Sequence, residues 1–130
     1  MSAFVDTNVL IRHLTGDPPE MAARATTALA AADELPLTDL VVAECVCVLE
    51  SFYDVDRERV AELVRAAIAL PSVKTIDSAS LRRALEVYEV ARLDFAEAYL
   101  VAQAEATGIA SVLSFDRSID RVGTITRHEP

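Results

Sequence analysis

Four carboxylates stand apart from the other acids of this sequence because of what surrounds them. Asp6 closes the apolar run Ala3 to Val5, and Glu44 is the one charge in Leu40-Val41-Val42-Ala43-Glu44-Cys45-Val46-Cys47-Val48-Leu49. Asp94 stands three residues before Glu97, so a helix starting there turns both to the same side. Asp116 closes Ser111-Val112-Leu113-Ser114-Phe115. Carboxylates brought to about 4 Å repel by roughly 1 to 4 kcal/mol per pair, so a cluster of them is destabilising until a cation binds. Oxygen-only ligands select Mg²⁺ or Mn²⁺ over zinc, and no Cys or His pair stands at zinc spacing. With only His13 and His128, a histidine-based hydrolase is poorly supplied. Metal-activated water is the natural nucleophile instead.

Each acid also has a plainer account. Asp6 suits a helix N-cap, Asp94 with Glu97 resembles a capping box, and Asp116 suits the first position of a turn. Arg117 could reach a substrate phosphate or pair with Asp120, which reads as a surface residue. Glu44 is more telling, because a helix apolar on nearly every face should be buried and should desolvate it. Burying an unpaired carboxylate costs several kcal/mol, and no Arg stands nearby to compensate.

The elements that must position these side chains follow from periodicity and punctuation. Ala3 to Val5 reads as a strand leading through a turn into a helix over Val9 to Leu14. Pro18-Pro19 opens a helix to about Ala32, and Leu35 to Thr38 reads as a second strand. Thr38 or Asp39 caps a helix to about Phe52. Asp56 caps another, with Val60, Leu63, Val64, Ala67 and Ile68 at helical spacing. Ser72 to Ile76 is a third strand. Asp77 or Ser78 starts a helix through Glu89 with a stripe of Leu81, Leu85 and Tyr88. Asp94 begins a helix that stops at Gly108. Ala110 to Phe115 and Thr124 to Thr126 are the last strands. Strands alternating with helices imply a mainly parallel sheet covered on both faces, a three-layer α/β/α sandwich. No repeat or linker interrupts residues 1–130, which read as a single domain.

Half of the residues are apolar and three of the 130 are Gly, so the chain should bury a sizeable core without staples. No apolar run reaches the roughly 20 residues of a membrane span, and no signal peptide opens the sequence, so a cytoplasmic location is expected. Cys45 and Cys47 point in different directions on a helix and read as small buried hydrophobes. The net charge of −9 is wrong for a broad electrostatic nucleic-acid surface. It suits a metal-neutralised site or a basic protein partner.

Taken together, Asp6-Thr7-Asn8, Glu44, Leu93-Asp94-Phe95-Ala96-Glu97-Ala98 and Ser114-Phe115-Asp116 make the sequence resemble a PIN domain over essentially its whole length. With no appended domain it is similar to the VapC-type toxins of bacterial toxin–antitoxin pairs. That resemblance implies an endoribonuclease with Asp6, Glu44, Asp94 and Asp116 as catalytic, metal-holding acids for one or two Mg²⁺ or Mn²⁺ ions. Glu97 stands where many relatives carry Asp and is a further candidate ligand. Asn8 and Ser114 match polar residues that position ligand or water, and Arg117 is a candidate for substrate positioning. A homodimer and a small antitoxin covering the site are also implied. The alternative readings are a catalytically silent PIN-like RNA- or protein-binding module, or a housekeeping RNA-processing nuclease. A receiver domain would need paired acids after its first strand and a Lys after its last. A haloacid-dehalogenase-type phosphatase would need Asp in place of Asn8. Neither requirement is met.

Overall fold

Parallel pairing of short extended segments, each running into a helix, organises the first half of the chain. In the computed structural model, which describes residues 1–130, the N-terminal segment runs beside residues 34–36. Ala3 N–H donates to the Glu34 carbonyl and Val5 N–H to that of Pro36, both at 3.1 Å. β1 (Leu35–Pro36) pairs in turn with β2 (Val73–Lys74) in parallel, with Leu35 opposite Val73. α1 (Thr7–Thr15), α2 (Pro19–Ala31), α3 (Asp39–Ser51) and α4 (Arg57–Ile68) follow these segments or connect them.

Local chemistry explains the helix limits. The Thr38 hydroxyl accepts from Val41 N–H and starts α3, while Pro at the first turn starts α2. Gly16 ends α1 at φ 69°, a left-handed conformation that glycine adopts without a Cβ penalty. Ala22, Ala25 and Leu29 of α2 and Leu10 and Ile11 of α1 are buried, as are Val42, Cys45, Val46 and Leu49 of α3. Ser72 is buried too, and its hydroxyl donates to the Leu29 carbonyl at 2.8 Å, tying the end of α2 to the start of β2. These residues form one compact unit, Met1–Ile76.

The second unit, Asp77–Pro130, has its own core. α5 (Ser78–Glu86) is capped by Asp77, whose carboxylate accepts from Ser80 N–H. The helix expected through Glu89 changes winding after Glu86, and Val87–Ala91 form a π-helical turn. Val87 and Tyr88 of this turn are both buried. Arg92, at φ 61°, ends it. α6 (Phe95–Thr107) buries Phe95, Ala98, Val101, Ala102 and Ala104, with the Phe95 and Tyr88 rings edge-on at 6.1 Å. β3 (Ser111–Leu113) and β4 (Thr126–His128) are parallel, Ser111 opposite Thr126.

The α/β character and parallel pairing expected from the sequence are present, but the strands are shorter or displaced. Thr38 leaves the second strand early because its hydroxyl caps α3. Ala110 adopts φ 53° and cannot extend β3 backwards. The last strand starts at Thr126 rather than Thr124, since Ile125 N–H turns back to the Val122 carbonyl. No helix is long and apolar enough to cross a membrane.

Arg83 of α5 forks onto Glu105 of α6 at 2.7 and 2.9 Å. This fork, with help from the Thr124 hydroxyl, holds the Glu105 carboxyl below its ordinary range. A carboxyl depressed by folding adds stability above its unfolded pKa, and that contribution fades as pH falls through the folded value. The stability advantage of the parent chain over Arg83→Met should therefore shrink on acidification through the ordinary Glu range. Urea titrations across that range check it, and a pH-independent difference would contradict it.

Candidate active site

Two of the expected acids meet at the end of the N-terminal segment. Val5 and Thr7 are buried while Asp6 between them is exposed, so the backbone itself turns the carboxylate outward. Its Oδ1 accepts from Thr7 N–H at 2.8 Å, the N-cap bond of α1. The Thr7 hydroxyl donates to Glu44 Oε2 at 2.9 Å, linking the start of α1 to α3 across 37 positions. Asp6, Asn8 and Glu44 line one cavity of about 310 Å³, with Arg12, Phe52 and Tyr53 among its other walls.

Glu44 is exposed, contrary to the burial expected from its neighbours. α3 is apolar nearly all round, yet only the stripe Val42, Cys45, Val46 and Leu49 is covered, and Leu40 on another face is 79% exposed. Cys47 is likewise exposed rather than buried. Cys45 lies beneath the acids, and burial, reinforced by the charges of Glu44 and Asp6, pushes its thiol up to about 12. A thiol raised in this way stays protonated at neutral pH and is a poor nucleophile.

The remaining candidates lie in the second unit. Asp94 repeats the pattern of Asp6, exposed between buried Leu93 and Phe95. It occupies the N-cap of α6 without making a side-chain cap bond, so the capping box suggested by Asp94 and Glu97 does not form. Glu97 is half-buried in the first turn of that helix. Asp116 caps a short 3-10 turn, Arg117–Arg121. Hydrogen bonds from the Ser118 side chain and N–H, with Arg121 and Arg127 nearby, hold its carboxyl below the ordinary Asp range. The Ser114 hydroxyl accepts from Asp116 N–H at 2.9 Å and so fixes that loop. Asp120 pairs with Arg127 rather than with Arg117.

Within either unit, no group of three or more His, Cys, Asp or Glu side chains is arranged to hold a metal ion. The pair Asp6 and Glu44 still offers what Mg²⁺ takes from a protein: one or two carboxylate oxygens, with room for the waters the ion retains. Thr7 stands in the Asp6-Thr7-Asn8 run, but the sequence alone gives it no role of its own. Its signal was a short hydroxyl residue between Asp6 and a helix, at a position that turns inward.

The PIN domain model matches residues 3–125. The chain belongs to the PIN-domain family. PIN domains are in general nuclease domains that use Mg²⁺ or Mn²⁺ and act on RNA. No curated protein matches the sequence significantly.

The contrast between the two cysteines is directly measurable. A thiol-alkylating reagent at mildly alkaline pH should modify Cys47 in the native protein and leave Cys45 untouched until the chain is unfolded. Peptide mass spectrometry reads both sites, and rapid native labelling of Cys45 would refute its burial.

Proposed function

We propose that this PIN domain is a Mg²⁺- or Mn²⁺-dependent endoribonuclease, the toxin of a type II toxin–antitoxin pair. The observation that carries the reading is the Thr7–Glu44 hydrogen bond, which sets two acids of the family pattern on one cavity. In this reading residues 1–130 work as one domain, in the cytoplasm, as a homodimer whose site a small antitoxin covers. The chain's acidity, with 21 Asp and Glu against 12 Lys and Arg, suits an antitoxin with basic anchors.

Asp6, Glu44, Asp94 and Asp116 would hold one or two ions, with Glu97 as a further ligand. A bound ion supplies an activated water and stabilises charge developing on the scissile phosphate. The protein's part is to hold its oxygens ready. Asp6 commits Oδ1 to Thr7 N–H and keeps Oδ2 for a ligand. The Thr7 hydroxyl fixes the Glu44 carboxylate, and Asp94 spends nothing on capping its helix. Ser118 keeps Asp116 ionised, and Ser114 sets the loop that carries it. Asn8 and Arg117 orient water and substrate.

Asp6→Asn and Asp94→Asn should each reduce Mg²⁺-dependent cleavage of RNA by at least about a hundredfold, with melting temperature little changed. Sequencing the RNA ends made by the purified protein identifies the cut. Undiminished cutting by either variant would remove the assignment.

Mn²⁺ should also raise the melting temperature of the parent chain. At a hundredfold excess over Kd the gain is about 2.7 kcal/mol, and Asp6→Asn should abolish most of it. A melt unmoved by millimolar Mn²⁺ would count against a preformed site.

A further inference from the structure

We propose that the cavity beside Asp6 and Glu44 is a nucleotide subsite for single-stranded RNA. The Phe52 ring stacks one base, while Arg12 and Arg24 take backbone phosphates leading to the acids. The proposal rests on the ribonuclease reading above and adds the residues that seat the substrate.

Three observations carry it. The first is a rigid aromatic platform. Phe52 caps the C-terminus of α3 and is 77% exposed. Its ring meets that of Tyr53 edge-on, with centroids 4.9 Å apart at 70°. The Tyr53 hydroxyl in turn donates to Asp17 Oδ2 at 3.0 Å. Tyr53 is thus anchored by a hydrogen bond and touches the Phe52 ring, which leaves Phe52 with an exposed face for an incoming base. An isolated exposed Phe would need no explanation. This one forms a wall of the cavity that the acids line.

The second observation is charge. The chain carries nine more acids than cations, yet neither Arg12 nor Arg24 makes an ion pair. Arg59, Arg83 and Arg127, by contrast, are engaged by carboxylates. The guanidinium groups left over are suited to phosphate forks.

The third is continuity. Arg12 and Asn8 also line an adjoining cavity of about 470 Å³ between α1 and α2, where Arg24 stands. A strand could therefore pass from Arg24 to Arg12 and on to Phe52 without leaving a lined surface. Stacking on a ring requires a base free of its duplex partner, and aromatic faces combined with a cationic track are how proteins hold single strands.

The test uses the full chain carrying Asp94→Asn, which blocks cleavage and lies outside the subsite. A short single-stranded RNA bearing a fluorescent purine analogue is titrated with this protein in Mg²⁺. Stacking should quench the analogue. Phe52→Ala should lose the quench and weaken Kd about 5- to 100-fold, and Phe52→Trp should restore both. Arg12→Gln should flatten the slope of log Kd against log salt by about 0.7, the value for one phosphate contact on a single strand. Phe52 is exposed, so its variants should melt like the parent. Equal Kd and quench in Phe52→Ala, or an unchanged salt slope in Arg12→Gln, would overturn the subsite. If these variants, with Asp94 restored, still cut RNA as the parent does, the nuclease reading stands alone and this face serves something else, such as a protein partner. If the parent neither binds nor cuts RNA, both proposals fall.

Discussion

The hydrogen bond from the Thr7 hydroxyl to Glu44 couples more of this molecule than its single contact suggests. Thr7 is buried at the first residue of α1, where an unpaired hydroxyl would cost about 1 to 3 kcal/mol. The Glu44 carboxylate is its acceptor, and an ionised acceptor strengthens the bond. Keeping Thr7 satisfied thus requires α3 to present Glu44 at one rotational setting against α1. That setting also turns Cys45 inward beneath the acids and leaves Glu44 facing the cavity. A structural need and the placement of an acid are met by the same contact.

Parallel pairing makes the contact possible. Because the N-terminal segment and β1 run in the same direction, the residues following them emerge at one edge of the ladder. Asp6 starts α1 from that edge and Thr38 starts α3 from it. Two helices therefore leave the ladder from that edge, and α3 brings Glu44 beside the start of α1 through the Thr7 hydroxyl. The second unit repeats the device separately. β3 and β4 are parallel, Asp116 follows β3 and caps a turn, and Asp94 is thrown outward by buried neighbours on both sides. Arg92 holds a left-handed backbone just before it, a conformation that costs an L-residue of order 1 kcal/mol or more. The chain tolerates this beside Asp94 because Leu93 and Phe95 anchor the segment in the core.

Much of this was legible in the sequence because the signals are local. Pro19, Thr38, Asp77 and Gly108 mark helix limits through hydrogen bonds or backbone angles within a few residues. Alternation of strand and helix gave the α/β class for the same reason. What stayed hidden depends on packing across the chain. The ten-residue stretch around Glu44 looks buried all round, but only one of its faces finds a partner, and composition does not say which. The π-helical turn after Glu86 is not announced by any local motif. Phe52 reads only as the end of a helix, and nothing in the sequence singles out Tyr53. Their place on the acidic cavity emerges once α1 lies against α3.

A chain this acidic that is proposed to act on RNA must hold a polyanion against its own field, and the distribution of charge bears on how it can do so. Its 21 carboxylates are partly spent on internal tasks: Glu105 and Glu86 on Arg83, Asp120 on Arg127, Glu62 on Arg59, Asp77 on capping α5. The ion pairs neutralise charge locally, and the cap bond spends the Asp77 carboxylate on its own helix. The acids facing outward at Asp6 and Glu44 accept hydrogen bonds from Thr7 but pair with no Arg or Lys, and a divalent ion there would invert the local sign. Beside them stand two arginines equally without carboxylate partners. Long-range attraction is then unnecessary, because net charge is screened beyond about 8 to 10 Å at physiological salt. Capture would depend on the few charges within that radius. For this face those are Arg12 and Arg24 set against Asp6, Glu44 and Asp17, together with any cation held there on the proposed reading, so the local arrangement matters more than the total of −9.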